Sequence, residues 1–493
     1  MLEIASCDRQ SEVYLDEDAV YRVVHIGHED SVSQVLKAVD AIDGIVATEI
    51  CHDKELLATL ASKKHKLVLK HKKIKYISYP HEWCASMLKD AALFHLELSQ
   101  KLLVQELFLK DAHPWNILFE KGRPVFVDFT SIVSRDSLFG EVYLEANQSR
   151  KNDSNEVRLA WIFKEIFERM YIPYFAQALC GYAFGQHSRV RKAIEATTLN
   201  TSTSVISQRS CFPGWQGMRQ LPQVIVKCFG LLRFRMQIKN IINLLMSEKN
   251  ITIFYAEMFA LVSNLKVEVG NTAYSNYYEL KGENNTWVYS ESWNDKQKSV
   301  YSALNKPEIE SVLDVACNTG WFAVMAEKLG KRVVAFDIDE GCIEIFYAQV
   351  KKDQLDILPL VMNFTKMTQD RHSIVDSNKV LINATDRLRS DSLIALGIIH
   401  HLTLGAGLSF NEILDKLIPL CRKQLVIEFI DLDDEMIQSE PSFFPAYFNN
   451  RELLNGYDIK ILIALIESRG FEVFCEKSHP STRSILVCNV KHL

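Results

Sequence analysis

From residue 311 onward, short apolar runs alternate with stretches in which apolar residues recur at helical spacing. Ser311 to Val315 is mostly apolar with a carboxylate near its end, the pattern of a buried parallel strand. Small residues from Ala316 to Gly320 predict a tight turn. Phe322, Val324, Met325 and Leu329 then predict a helix over 321–329. Val333–Asp337 reads as a second strand ending in a carboxylate, Glu340–Val350 as a helix and Ile357–Met362 as a third strand. Asp391–Ile399 is apolar enough for a central strand covered on both faces. A helix over Phe410–Cys421, a strand over Gln424–Ile430 and a helix over Asp458–Arg469, ended by Gly470, lead to closing strands at Phe471–Glu476 and Ser484–Val490. This alternation predicts an α/β domain over 311–493 with a Rossmann-like sheet.

The earlier chain has a different texture. Residues 1–80 look like a small strand-rich lobe, with strands at Val20–Val24 and Lys66–His71 and short helices at Ser31–Val39 and Asp53–Ser62. A long helix is predicted over Cys84–Leu103, with Met87, Ala91, Phe94, His95 and Leu98 along one face. Residues 136–270 are helical by pattern, clearest at Asn155–Glu168 and Val224–Met246; the Ser/Thr-rich stretch Thr197–Ser210 reads as a loop. The expected organisation is an α+β domain over 1–270, with lobes 1–80 and 81–270, then a linker and leading helix over 271–310. Thr272–Tyr278 and Trp287–Trp293 in that linker are aromatic-rich, and Asp295–Leu304 reads as a helix.

Composition narrows the class. A chain of 493 residues exceeds one ordinary core, and 48% hydrophobic with 24% charged residues suits a soluble globular protein. A net charge of −6 argues against general nucleic-acid binding. The eleven cysteines form no C-x-x-C pair and no zinc-spaced cluster, so reduced, buried thiols and a cytoplasmic protein are expected. No signal peptide and no membrane span are expected; the nearest candidate, Val224–Met246, is interrupted by Lys227, Arg233, Arg235 and Lys239. The seven lysines from Lys63 to Lys75 read as the solvated face of an edge strand, with an anion-binding patch as the alternative.

Strand, small-residue turn, helix is how a doubly wound sheet opens a nucleotide site. Asp337 stands about 20 residues beyond Asp314, a distance at which a carboxylate can take ribose hydroxyls. The turn has a single glycine, Gly320, and no G-x-G-x-x-G, so a pyrophosphate is not the expected ligand. His400 and His401 follow the predicted fourth strand at the edge where such sheets bind ligands, and either could accept a proton near neutral pH. Glu428, near the end of the fifth strand, or Asp431 could orient a histidine or bind a hydroxyl; a solvated carboxylate is the alternative. In the first domain Asp111 and Asn116 are separated by four residues, and Asp128 ends an apolar strand twelve residues after Asn116. That spacing matches a kinase catalytic loop and metal-binding strand end, with Asp111 as the catalytic carboxylate and Asn116 and Asp128 as magnesium ligands.

The turn Asp314–Gly320 resembles the first motif of class I S-adenosylmethionine (SAM) methyltransferases, D-x-G-x-G-x-G, with Ala316 and Asn318 in place of two glycines. The first domain resembles an aminoglycoside-phosphotransferase or kinase-like fold, in degenerate form: the loop begins Leu109-Lys-Asp111, Thr130 replaces the glycine of D-F-G, and no phosphate-covering glycine loop is present. Arg22 lies in the strand where a kinase would place a lysine. Tyr79-Pro-His-Glu-Trp83, Leu109–His113, Val125–Asp128, Ala316–Phe322, Leu358–Met362, His400–Leu402 and Ile427–Phe429 together resemble the NoeA-type nodulation-protein family of SAM-dependent methyltransferases.

The resemblance implies SAM as cofactor, held by Asp314, Ala316, Asn318, Gly320, Asp337, Asn363 and Phe364. Asn363 would meet the adenine amine through its amide oxygen, and Phe364 would stack on the ring or simply pack the core. Without an N/D-P-P-Y/F/W motif the acceptor is expected to be a small molecule or glycan rather than a nucleic acid. The expected reaction is methyl transfer, with oxygen as the acceptor atom and with catalytic roles for His400, His401 and Glu428. The alternatives are a bifunctional kinase–methyltransferase using Mg-ATP in the first domain, and a non-catalytic binding protein.

Overall fold

The structure is a computed structural model that describes residues 2–4, 10–60, 65–142, 153–199, 221–267, 269–272, 274–275, 287–367, 371–372, 380–439, 444 and 454–491. The chain forms two compact units: Met1–Val269 with Asp370–Leu381, and Gly270–Gln369 with Ile382–Leu493.

The first unit begins with five antiparallel strands, β1 (Leu2–Ile4), β2 (Ser11–Leu15), β3 (Ala19–His25), β4 (Thr48–Ile50) and β5 (His65–Lys72), in the order β1-β2-β3-β5-β4. Helix α1 (Glu29–Val39) joins β3 to β4 and buries Val32, Val35 and Val39. Tyr14, Val23, Cys51 and Val68 form a core cluster on this sheet. The segment Tyr79–Trp83 is a capping turn: Tyr79 N–H donates to Glu82 Oε2 at 2.9 Å, and Trp83 Nε1 donates to Ser78 Oγ at 2.9 Å. It delivers the chain into α2 (Ala85–Val104), whose Leu88, Ala92, Leu96 and Leu102 are buried. A hairpin of β6 (Ile117–Glu120) and β7 (Arg123–Phe126) turns through Lys121 and Gly122, both left-handed, as a two-residue hairpin loop requires. Helices α3 (Asn155–Ile166), α4 (Leu221–Glu248) and α5 (Ile251–Ser263) follow. Among the described residues no helix is long and apolar enough to cross a membrane. The predicted loop Thr197–Ser210 lies outside the described residues apart from 197–199, which end a helix.

The second unit opens with α6 (Asp295–Leu304), capped by a reciprocal Asn294–Gln297 box. Its sheet contains β8 (Ser311–Val315), β9 (Arg332–Asp337), β10 (Ile357–Val361), β11 (Ser390–Ala395), β12 (Cys421–Ile430), β13 (Phe471–Lys477) and β14 (Arg483–Val490), ordered β10-β9-β8-β11-β12-β14-β13. The pairs from β10 to β12 are parallel; β14 pairs antiparallel with both β12 and β13. All residues of β8, β10 and β11 are buried, as strands covered on both faces must be. Helices α7 (Trp321–Lys328), α8 (Glu340–Asp353), α9 (Phe410–Leu417) and α10 (Ile459–Glu467) supply the connections. This is the expected Rossmann-like α/β fold. Strand order reverses between β8 and β11, and the crevice beyond their carboxyl ends is the place for a ligand.

One expected boundary is corrected. The fourth strand ends at Ala395 rather than 399, because Gly397 takes a left-handed backbone (φ 64°) and turns the chain out of the sheet. His400 and His401 therefore sit in a helical turn rather than directly on a strand end. The described cysteines are free, and all but Cys475 are buried. Of Thr272–Tyr278, only residues 272, 274 and 275 are described.

Candidate functional site

The turn between β8 and α7 is built on left-handed backbone. Ala316, Asn318 and Gly320 have φ of 59°, 54° and 80°. These are the three positions at which the resembling motif carries glycine. Asn tolerates this conformation through local hydrogen bonds, whereas Ala does not. Asn318 makes such bonds: its Oδ1 accepts from Thr319 N–H at 2.7 Å and its Nδ2 donates to the Tyr274 carbonyl at 3.1 Å. At Gly320 the constraint is also steric. A Cβ there would stand 2.3–2.4 Å from three ring atoms of Phe346 on α8.

Asp337 closes this turn. Its Oδ2 accepts from Asn318 N–H at 2.8 Å, and its Oδ1 accepts from Asp339 N–H at 2.9 Å. The Ile338 N–H also bonds this carboxylate, which keeps acceptor capacity for a ribose hydroxyl. Asp314 is buried within β8; burial, reinforced by the neighbouring Asp337 charge, pushes its carboxyl up to about 8 against the opposing pull of Lys296. Asn363 follows β10, where its Oδ1 accepts from both the N–H (2.9 Å) and the hydroxyl (2.8 Å) of Thr365. Both lone pairs of that oxygen are thus engaged, and the amide nitrogen is the group left for a ligand. Phe364 is buried in the core.

The two histidines differ. His400 is 1% exposed, and neither ring nitrogen has a partner among the described residues. Burial, with positive charge nearby, holds it well below the usual imidazole range. His401 is half-buried, lies 4.2 Å from the His400 ring, and is lowered by burial alone. Glu428 does not orient a histidine. Its Oε2 accepts from Lys296 Nζ of α6 at 2.8 Å, and its Oε1 accepts from Ser478 Oγ at 3.1 Å. Lys296 was not singled out from sequence: within Asp295-Lys-Gln-Lys298 it looks like any solvated helix face. Trp293, beside it, packs edge-on to Trp321 at 5.5 Å.

In the first unit, the catalytic-loop positions are partly drawn together. Asp128 is ion-paired with Arg22 of β3 at 3.0 Å, and Arg22 also donates to Ser11 Oγ (2.9 Å) and Thr130 Oγ1 (2.6 Å). Asp111 Oδ2 accepts from Ser131 Oγ at 3.1 Å, and burial raises its carboxyl above the ordinary range. Asn116 is buried, and its Nδ2 has no partner among the described residues. Among the described residues no group of three or more His, Cys, Asp or Glu side chains could hold a metal ion. A cavity of 460 Å³ lined by Trp287, Ala348, Gln349, Lys352 and Asp353 lies at the C-terminal end of α8, which leads to the opposite edge of the sheet from the turn at 316–320.

Compared with known protein families, the chain matches none of their profiles. It is 23% identical over 372 residues to nodulation protein NoeA of Rhizobium meliloti (strain 1021), spanning 75% of this chain and 72% of that protein. Over 72 residues it is 40% identical to ribosomal protein L11 methyltransferase of Thermotoga maritima, 14% of this chain and 27% of that protein. Among solved structures, magnesium protoporphyrin IX methyltransferase from Synechocystis PCC 6803 with bound SAH aligns at 13% identity and a TM-score of 0.28, covering 44% of this chain and 97% of that one. The bifunctional kinase-methyltransferase WbdD aligns at 17% identity and a TM-score of 0.30, covering 47% of this chain and 46% of that one.

Proposed function

We propose that the second unit is a SAM-dependent methyltransferase acting at an oxygen of a small-molecule or saccharide acceptor. The observation that carries this reading is the turn 316–320: three left-handed residues, closed by the Asp337 carboxylate, at the carboxyl edge of the sheet where its strand order reverses. The relatives named methyltransferases support it. The residues present fit the cofactor. Asp337 offers a carboxylate for the ribose, Asn363 an amide nitrogen after β10 for the adenine, and the 316–320 backbone a cradle at which a Cβ on Gly320 would strike Phe346.

When bound, SAM supplies a sulfonium methyl reactive enough that positioning provides much of the catalysis. The chain's task is to hold the acceptor oxygen in line and take its proton. Of the two histidines, His401 is the better base, because it is more open and less depressed than His400. Calorimetry with SAM on wild type and Asp337→Ala tests the cofactor reading. Loss of about tenfold or more in affinity is expected from removing a charged hydrogen-bond acceptor; equal affinity in the two proteins would refute the ribose assignment. Mass spectrometry of cell extract incubated with labelled SAM, with and without the protein, identifies the acceptor.

The first unit reads as a kinase-like lobe pair that helps bind the acceptor. Five antiparallel strands, with a helix between the third and fourth, support the likeness. The Arg22–Asp128 pair argues against Mg-ATP there, since the guanidinium neutralises the carboxylate that would hold the metal.

A further inference from the structure

The ion pair between Lys296 and Glu428 is buried, and such a pair can often be replaced by well-packed apolar residues without loss of stability. Lys296 is 7% exposed and Glu428 0%. Desolvating two such charges is costly before their attraction is counted, so a buried pair is poor evidence of a purely stabilising device. Its position is informative. Glu428 lies on β12, next to the switch-point strand β11, and a Cβ on Gly397, just past the end of β11, would come within 3.7 Å of Glu428 Oε2. Lys296 Nζ lies 5.4 Å from the Phe322 ring centre, at the start of α7, and its charge is felt by both Asp314 and His400. The pair therefore spans the gap between the turn after β8 and the turn after β11. His400 stands on the same edge with both ring nitrogens lacking a partner among the described residues, as a wall awaiting a polar ligand would.

Resting on the SAM reading above, we propose that Lys296 and Glu428 together receive the amino-acid end of the cofactor, Lys296 taking its carboxylate and Glu428 its ammonium. A zwitterion presents the same two charges in inverse order. It can exchange onto the pair while the buried region keeps its charge balance. Asp314, at the foot of the same turn, is buried like Glu428, but Glu428 is the carboxylate hydrogen-bonded to a cation, Lys296 Nζ at 2.8 Å.

The test is calorimetry with two adenosyl thioethers that differ only in this end: S-adenosylhomocysteine, which has the amino-acid group, and 5′-methylthioadenosine, which lacks it. Lys296→Met is expected to weaken S-adenosylhomocysteine about 30-fold, the loss of one charge-assisted hydrogen bond, and to leave 5′-methylthioadenosine within about twofold. The exchange variant Lys296→Glu with Glu428→Lys keeps a buried pair, and so the fold, while inverting the charge pattern. It is expected to show the same selective loss even if Lys296→Met proves unstable. Equal losses for the two ligands, or no loss in the exchange variant, would make the pair a structural strut and overturn the proposal. If the wild-type protein binds neither ligand, the SAM reading itself fails, and this inference with it.

Discussion

Ala316 holds a backbone conformation that costs a non-glycine residue about 1–2 kcal/mol. Ala316→Gly is therefore expected to raise stability by about 0.5–1 kcal/mol in a denaturant titration, the relief of strain exceeding the entropy that glycine adds to the unfolded chain. Gly320→Ala has the opposite sign, since its Cβ would meet the Phe346 ring; a loss of about 2 kcal/mol or more is expected. Asp314 has a different signature. Its folded carboxyl keeps its proton up to about 8, whereas an unfolded aspartate loses it near 3.9, so the folded state binds more protons across that window. Stability contributed by this group is full below about 3.9 and is lost as pH rises toward 8. Asp314→Asn, which cannot titrate, is expected to be near neutral at pH 4 and increasingly stabilising toward pH 8, by at most ~5 kcal/mol. Denaturant midpoints measured across that range would check it; a flat difference would refute it.

At the scale of elements, the strand-turn-helix at 311–328 was legible because its small residues and apolar spacing have few other solutions. The end of β11 was not legible. Leu396-Gly-Ile-Ile399 continues an apolar run, and only the backbone of Gly397 shows that the chain has already left the sheet. Lys296, and the partner of Arg22, were hidden for a related reason: a charged residue in an amphipathic helix or a mixed strand gives no sign of which partner, over a hundred positions away, will bury it. Arg22 carries a prediction of its own. Arg22→Met leaves Asp128 without its counter-ion and is expected to cost about 3 kcal/mol. Millimolar magnesium should restore part of that loss in the variant and add nothing to the wild type. Equal stabilisation of both proteins in chemical melts would show that the metal binds elsewhere.

At the scale of the whole molecule, the chain divides into two units, and the proposed cofactor chemistry belongs to the second. S-adenosylhomocysteine is accordingly expected to slow hydrogen exchange at 314–320, around Asp337 and at Asn363, and to leave the β3 and α2 amides of the first unit unchanged. At a hundredfold excess over its dissociation constant the ligand should add about 2.7 kcal/mol to the unit that holds it. Protection in the first unit alone would move the site there. The change from irregular helical texture to strict alternation was visible from residue 311, after an aromatic-rich linker. Which atom of which acceptor receives the methyl group was not, because no run of residues around His400 and His401 encodes a shape.

The contact between Gly320 and Phe346 has a historical consequence. The two positions lie 26 residues apart in the chain but share one space. A lineage of such chains can therefore enlarge residue 320 only after, or together with, a reduction at 346. Pairs in which both are bulky should be missing from its descendants, and Gly320→Ala combined with Phe346→Leu should recover the steric part of the loss while still bearing the cost of a left-handed alanine.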